Sequence, residues 1–417
     1  MERSTVFRLA REQSRTRTYL ITALVAVGLM ALVVRVLCAI SMKGYLSDQQ
    51  YFLTWMQTVD RLGLGQAYVG DGEINYPPLL LLLLGGYKQI LDVLGIGPVI
   101  GGLSIKLPMI IFDATAMVAV VAFTKRWEPL ARVGLFAAFA LHPTFILNSA
   151  VWGQVDMLHS FLMLTAVVLL PKQPVSGGAV YALACLAKFQ AVSIAPVLFA
   201  LLLRSWWEKK GITSFLRLAI GFIALSGATL VYFAVNGTLG AMFHSGYLSA
   251  VGYYPYVTLN AMNIWYYLIG TAPETFDTTP IAPPYLTLRT IGFILLGLAM
   301  LAIMAYTMFG RRPVRETLIK AAAMASFAFF MLPTEIHERY CMPALVFVIA
   351  AAAMDSGWVR LAMILSLTSF LNMLMPFTGV NPYMGMGLVW LNVYVLYGMF
   401  ATSFKEMTFQ RRVGETA

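Results

Sequence analysis

The sequence predicts an all-α polytopic membrane protein. Hydrophobic residues make up 59% of the chain against 12% charged, and several apolar runs reach the ~20 residues that cross a bilayer. Lys and Arg gather in short clusters beside those runs. In lipid the backbone must satisfy its own hydrogen bonds, which a helix does within one segment. Domain counting by length assumes a soluble core, so residues 1–417 read as one integral membrane domain. The formal net charge of +10 follows from the basic clusters that flank spans, so membrane orientation explains it and no nucleic-acid partner is expected. Cys38, Cys185 and Cys341 are scattered and form neither a metal-ligand pattern nor a disulfide framework.

The first element is residues 19–40. Arg3, Arg8, Arg11, Arg15 and Arg17 precede it, it exceeds a signal-peptide core, and no cleavage site follows, so it reads as a retained helix with its N-terminus inside. The basic groups at Lys125-Arg126 with Arg132, at 204–217, 311–320 and 405–412 are then also inside. Residues 41–76 form a first outer loop. Residues 77–103 hold an apolar stretch broken by Gly85, Gly86, Lys88 and Asp92, expected to lie at the outer interface or to be re-entrant. Residues 107–124 run inward, 135–148 outward and 158–170 back. The apolar stretch 177–203 is interrupted at Lys188-Phe189-Gln190, and parity makes it two short antiparallel helices. At ~1.5 Å per residue their junction lies roughly 18 Å up, in the outer half of the membrane. Residues 218–235 exit again, a second large outer loop covers 236–284, and five more spans follow near 291–309, 319–332, 342–354, 361–374 and 386–401. The expected total is about twelve spans.

The polar clusters share one side. Asp48, the stretch Asp71, Glu73, Asn75 and Tyr76, the run Trp152 to Asp156 with Gln154, Asn260 with Asn263, and Thr334 to Tyr340 are all outer by the same parity. Polar groups at membrane depth are costly and line cavities or pair with one another, so this convergence points to one outer cavity. Transfer of a group from a lipid phosphate to a hydroxyl needs a carboxylate to take the acceptor proton. It also needs cationic or hydrogen-bond-donating groups at the departing phosphate. Asp48 fits the first role; His337, Arg339 and Lys188 fit the second, with Arg suited to bidentate contact. Gln50, Asp71, Glu73, Asn75, Tyr76, Gln154, Asp156, Asn260, Asn263 and Glu338 are candidate cavity residues for sugar or acceptor. Simpler roles compete: turn chemistry for Asp71 and Glu73, a helix N-cap for Asp156, an internal ion pair with Asp113 for Lys188, and interfacial anchoring for His337 and Arg339. Arg35 is expected to snorkel outward. Nothing in the pattern requires a metal or a cofactor.

The chain also resembles a known superfamily. Asp48 with Gln50 and Trp55, followed by Asn75-Tyr76-Pro77-Pro78-Leu79, is similar to the first luminal loop of the dolichyl-phosphate-glucose-dependent glucosyltransferases of N-glycan assembly. Lys188-Phe189-Gln190 with Pro196, the Asn-rich Asn260 to Trp265, and His337-Glu338-Arg339 resemble further elements of that family in the same order. Trp152-Gly153-Gln154-Val155-Asp156 and His337-Glu338-Arg339-Tyr340 are closer to bacterial relatives of the GPI-anchor mannosyltransferases. Both groups belong to the GT-C superfamily. The resemblance covers 48–340. It implies a GT-C type fold and an inverting hexosyltransferase with Asp48 as base, using a polyprenyl-phosphate sugar and a glycolipid or glycan acceptor. Mannose is favoured over glucose because Arg339 stands where the glucosyltransferases carry Lys. The implied setting is a bacterial cytoplasmic membrane with the site on its outer face, or an ER membrane in a eukaryote. The rival from another class is a polytopic lipid or sugar transporter or flippase, which would more often keep its polar groups at the midplane between repeats.

Overall fold

A computed structural model describes residues 2–70, 73–208, 211–268, 275–282, 286–379 and 382–414. The chain is a helical bundle whose described sheet is one short antiparallel pair, β1 (Pro280–Ala282) and β2 (Leu286–Thr287). In order come α1 (Glu2–Ser41), α2 (Leu46–Leu62), α3 (Pro78–Val93), α4 (Leu103–Phe123), α5 (Pro129–Ala140) and α6 (Pro143–Ile146). They are followed by α7 (Asp156–Leu169), α8 (Pro174–Ala187), α9 (Ala195–Trp207), α10 (Thr213–Val235), α11 (Leu239–Gly246) and α12 (Ile264–Leu268). The last are α13 (Leu288–Phe309), α14 (Val314–Met331), α15 (Met342–Ala352), α16 (Val359–Thr378) and α17 (Pro382–Gly414).

Eight helical segments are long and apolar enough to cross a membrane: Arg15–Ser41, Leu103–Phe123, Pro129–Trp152, Phe189–Trp207, Thr213–Val235, Leu288–Phe309, Ser356–Thr378 and Met384–Met407. The chain is therefore an integral membrane protein by architecture, and eight rather than the expected twelve segments meet that standard among the described residues. The difference has a physical origin. The sequence count included short apolar stretches as spans, but α7, α8 and α15 are short and α14 carries Arg315, Glu316 and Lys320 in its first turns.

These shorter helices form the centre of the bundle. On α14 nearly every residue from Thr317 to Met331 is buried, and on α15 every residue from Met342 to Ala351. A helix buried all round needs no polar face, and the alanines of α14 let neighbours approach closely. In contrast α10 buries only Gly221 and Phe233 and presents the rest outward. It crosses α8 where Gly178 faces the Leu218 backbone and Gly221 faces that of Val175, positions at which a β-carbon would strike a carbonyl.

Three breaks at one end of the bundle place the polar groups. After α6 the chain widens into a π turn, Leu147–Trp152, which ends at Gly153 with φ 88°. Turns of this kind recur at functional sites, and the left-handed backbone suits glycine. At Lys188 the helix stops, the backbone extends (φ −159°, ψ 138°), and a 3-10 turn, Phe189–Ile194, leads into α9; the interruption lies where the sequence placed it. Between α14 and α15, residues 333–337 form an irregular turn that pairs by backbone with the segment after α11, with Leu259 N–H donating to Ile336 O (2.9 Å) and Glu335 N–H to Tyr256 O (3.1 Å). Glu335 and Asn260 both hold positive φ, 62° and 63°. Strain of this sort persists where surrounding structure over-determines it.

Two buried ion pairs differ from expectation. Arg35 does not snorkel: its Nε donates to Asp113 Oδ2 (2.6 Å) and its Nη1 to Ala140 O (2.6 Å), and both side chains are buried. Ser149 Oγ adds a bond to the same Asp113 oxygen (2.7 Å). Asp113 Oδ2 is thus engaged by Arg35 and Ser149, and the partner of Lys188 is Asp156. At the opposite end of α14, Lys320 Nζ bonds Glu316 (2.8 Å), Asp355 (2.6 Å) and Glu406 (2.9 Å), drawing α14, the end of α15 and α17 together.

Candidate active site

Asp48 lies in the first turn of α2, and the corner that carries it is built from buried polar contacts. Lys106 Nζ reaches from α4 to cap the end of α1, donating to Ala39 O (3.2 Å) and to Met42 O. Cations stabilise helix C-termini. Gln49, fully buried, ties three segments: its Nε2 donates to Lys43 O (3.0 Å) and Trp152 O (3.0 Å), and its Oε1 accepts from Gly101 N–H (2.7 Å). Trp152 is thereby held against the α2 start, with Tyr45 packed on it at 5.0 Å between centroids.

The Asp48 carboxylate is oriented by this frame. Trp152 Nε1–H (2.7 Å) and Gln154 Nε2–H (2.6 Å) both donate to Oδ2, and Arg339 Nη1 stands 3.8 Å from the same oxygen. Oδ1 takes no hydrogen bond among the described residues. The carboxylate therefore has one anchored oxygen and one available to a ligand.

Behind it lies a buried charge network. Lys188 Nζ pairs with Asp156 Oδ1, Asn148 Nδ2 donates to Asp156 Oδ2 (2.9 Å), and Arg339 Nε stands 3.9 Å from that oxygen. Arg339 Nη1 also donates to Glu338 Oε1 (3.1 Å). The cations rest over aromatic faces: Lys188 lies 5.1 Å from the Tyr76 centroid and 5.2 Å from that of Tyr340, and the Arg339 guanidinium 5.7 Å from Trp152. Aromatic quadrupoles favour such placement when water is excluded. Buried Arg339 Nε has no hydrogen-bond partner among the described residues. A guanidinium N–H is a strong donor to an anionic oxygen. Burial, reinforced by the charges of Arg339 and Lys188, holds His337 well below the usual imidazole range, so it is neutral. Burial pushes the Glu338 carboxyl up despite the adjacent Arg339.

These groups line two adjoining cavities, of about 360 Å³ and about 410 Å³. Asp48, Tyr51, Tyr254, His337 and Arg339 belong to the walls of both. Lys188, Asn75, Tyr76 and Gln154 line the first; Asn260 and Glu338 line the second.

Other predicted site residues stand elsewhere. Gln50 is exposed, with its amide 3.4 Å from Thr54 Oγ1, because it falls on the outward face of α2; the inward glutamine is Gln49. Asn263 is fully buried and structural, its Nδ2 near Phe330 O (3.4 Å) and Pro333 O (3.3 Å) and its Oδ1 accepting from Trp265 N–H (3.1 Å). Glu73 is exposed, lines neither cavity and receives the Tyr51 hydroxyl at 3.4 Å. Asp156 makes no N-cap hydrogen bond; it sits behind the cavity as counter-ion to Lys188. Asp71 lies outside the described residues.

Sequence reasoning passed over Gln49, Trp152 as an Asp48 partner, and Tyr254. A tryptophan and a glutamine one residue apart in a glycine-interrupted polar turn were the available signal. No family model and no curated protein matches this sequence. The candidate site consequently rests on its own geometry.

Proposed function

We propose that the protein is an inverting glycosyltransferase of GT-C type that moves a hexose, mannose ahead of glucose, from a polyprenyl-phosphate donor to an acceptor hydroxyl. The observation that carries this reading is the buried Arg339. Its unpartnered Nε–H lies beside Lys188 and a one-side-anchored carboxylate, at the junction of two cavities. In this reading the phosphate enters the larger-walled first cavity against Arg339, Lys188 and the neutral His337. Phe189, Phe293, Leu296 and Phe329 supply apolar wall on the same side.

The step balances as one displacement. The acceptor oxygen forms the new bond to the anomeric carbon as its proton passes to Asp48 Oδ1. The bond between that carbon and the phosphate oxygen breaks, and its electron pair leaves with the lipid phosphate. Arg339 and Lys188 stabilise the growing charge. Attack opposite the leaving group inverts the configuration. Trp152 and Gln154 keep Oδ2 occupied so that Oδ1 faces the acceptor.

The same reading takes α7, α8, α14 and α15 as crossings shortened by the breaks that feed the site, which returns twelve in all. The positive-inside bias of the basic clusters supports an outer-face position for the cavities, in a bacterial cytoplasmic membrane or in the ER of a eukaryote. The test is incubation of purified protein with a radiolabelled polyprenyl-phosphate hexose and candidate acceptors. A new glycosidic bond supports the proposal; label that crosses vesicles without forming one favours the transporter reading instead.

A further inference from the structure

Another cavity lies away from the candidate site, between α5, the end of α15 and the start of α16. At about 640 Å³ it exceeds both cavities beside Asp48. It begins at Trp127 and Val359, beside the starts of two membrane-length segments, Pro129–Trp152 and Ser356–Thr378. It ends at His142 and Ser366, near the middle of both. The candidate site lies at the other end of the same segments, at Trp152 and Pro376. We propose that this groove binds an anionic phospholipid of the membrane, with one acyl chain along α5 and the phosphate at the Trp127 end.

Length selects a lipid tail. From Ala131 to His142 the groove rises ~17 Å at ~1.5 Å per residue, about half of a ~30 Å hydrocarbon core. That is the depth of one leaflet. A docked transmembrane helix would cross both leaflets and leave half its length uncovered. The walls fit the same occupant. From Ala131 to Leu141 the lining side chains of α5 are apolar, and Gly134 faces open space, with no atom within 4 Å of where a β-carbon would sit. Met363, at the groove's edge, is 69% exposed, so the opening faces outward to where a bilayer surrounds an integral membrane protein. The floor is a hydrogen bond made within the protein. Ser366 gives its proton to Ala362 O (2.7 Å), so its Oγ accepts from His142 Nε2–H (3.0 Å).

Charge selects the headgroup. Lys125 and Arg126, just before Trp127, and Arg360, just after Val359, are exposed. The Arg360 guanidinium rests 5.4 Å from the Tyr394 ring centroid. Glu128 is an exposed acid beside them, and Asp355 is already matched by Lys320 at 2.6 Å. Three cations against one exposed acid attract an anionic headgroup, and a tryptophan at the mouth suits the level of the headgroups.

The test is titration of the purified, delipidated protein with phosphatidylglycerol and with phosphatidylcholine of the same acyl chains, read by native mass spectrometry. Gly134→Leu fills the groove without a clash and favours the helix. Gly387→Leu adds the same side chain at an equally open position on α17, outside the groove. A triple variant, Lys125→Gln with Arg126→Gln and Arg360→Gln, removes the cations. Phosphatidylglycerol is expected to bind tighter than phosphatidylcholine by about tenfold or more, a preference that the triple variant loses. It is also expected to raise the melting temperature of the unmodified protein and of Gly387→Leu, and not that of Gly134→Leu. Equal binding of the two lipids overturns the proposal, and so does a Gly134→Leu protein that binds phosphatidylglycerol as the unmodified one does. A dimer of the unmodified protein that Gly134→Leu dissociates and phosphatidylglycerol leaves intact also overturns it, with a second copy as the occupant. None of these outcomes bears on the transferase reading, which concerns the other end of the bundle.

Discussion

Replacing Lys188 with Met tests the charge network without assuming any reaction. Lys188 is 4% exposed and Asp156 fully buried, so the substitution leaves a carboxylate in the interior without its nearest cation. Breaking a buried pair from one side costs ~3–5 kcal/mol. Asp156 retains Asn148 at 2.9 Å and can draw Arg339 Nε inward from 3.9 Å, which places the expected loss at the lower end, about 3 kcal/mol. At about 2 °C per kcal/mol for a chain of this size, the melting temperature falls by roughly 6 °C. Adding Asp156→Asn removes the stranded charge and keeps an acceptor for Asn148, so the double variant recovers most of the loss. The assay is thermal unfolding in detergent of the four proteins of the cycle. A Lys188→Met protein as stable as the unmodified one refutes the reasoning, and so does a double variant whose loss equals the sum of the two singles.

Further outcomes follow from neighbouring contacts. Gln49→Leu removes three buried hydrogen bonds, to Lys43 O, to Trp152 O and from Gly101 N–H, and is expected to destabilise by about 2–3 kcal/mol, whereas Gln50→Ala stays within ~0.5 kcal/mol; equal effects in thermal melts contradict the assignment of the inward glutamine. Burial, with Asp277 nearby and despite the Gly252 N–H and Arg289, pushes the Glu335 carboxyl up to about 7. An acid with a raised folded-state pKa contributes stability that is full below the unfolded value near 4.5 and is lost as pH rises through about 7. Glu335→Gln mimics the protonated acid and leaves Asp277 to hold Arg289, at 2.8 Å through both oxygens. It is therefore expected to match the unmodified protein near pH 5 and to melt about 2 °C higher at pH 8.5; a variant less stable at pH 8.5 reverses the sign and rejects this account.

The sequence made some of this site legible and concealed the rest for identifiable reasons. Asp48, Lys188 and the His337-to-Tyr340 run stood out because charge is rare beside apolar helices and therefore informative. The break at Lys188 was visible for the same reason. The choice between Gln49 and Gln50 was open to the helical period, since Gln49 shares a face with Phe52 and Met56 at i+3 and i+7 while Gln50 is turned about 100° away, but the family resemblance drew attention to Gln50 instead. Arg35 and Asp113 lie 78 positions apart, a pairing set by the packing of α1 on α4 rather than by any local pattern. Asn263 resembled a site residue because a buried amide that pins a carbonyl and one that binds a ligand look alike in sequence. The eight segments of membrane length leave out α7, α8, α14 and α15, short or charged helices enclosed by protein, where lipid does not set the length.

The central claim is that Asp48 is the base. The most direct measurement compares Asp48→Asn with the unmodified protein in two assays on the same preparation: hexosyl transfer from a polyprenyl-phosphate donor, and binding of dodecyl phosphate. An amide keeps the shape and cannot take the proton, so transfer is expected to fall by about 10²–10⁴-fold while phosphate binding changes less than about twofold. Turnover near normal in Asp48→Asn, with phosphate still bound, would contradict the account.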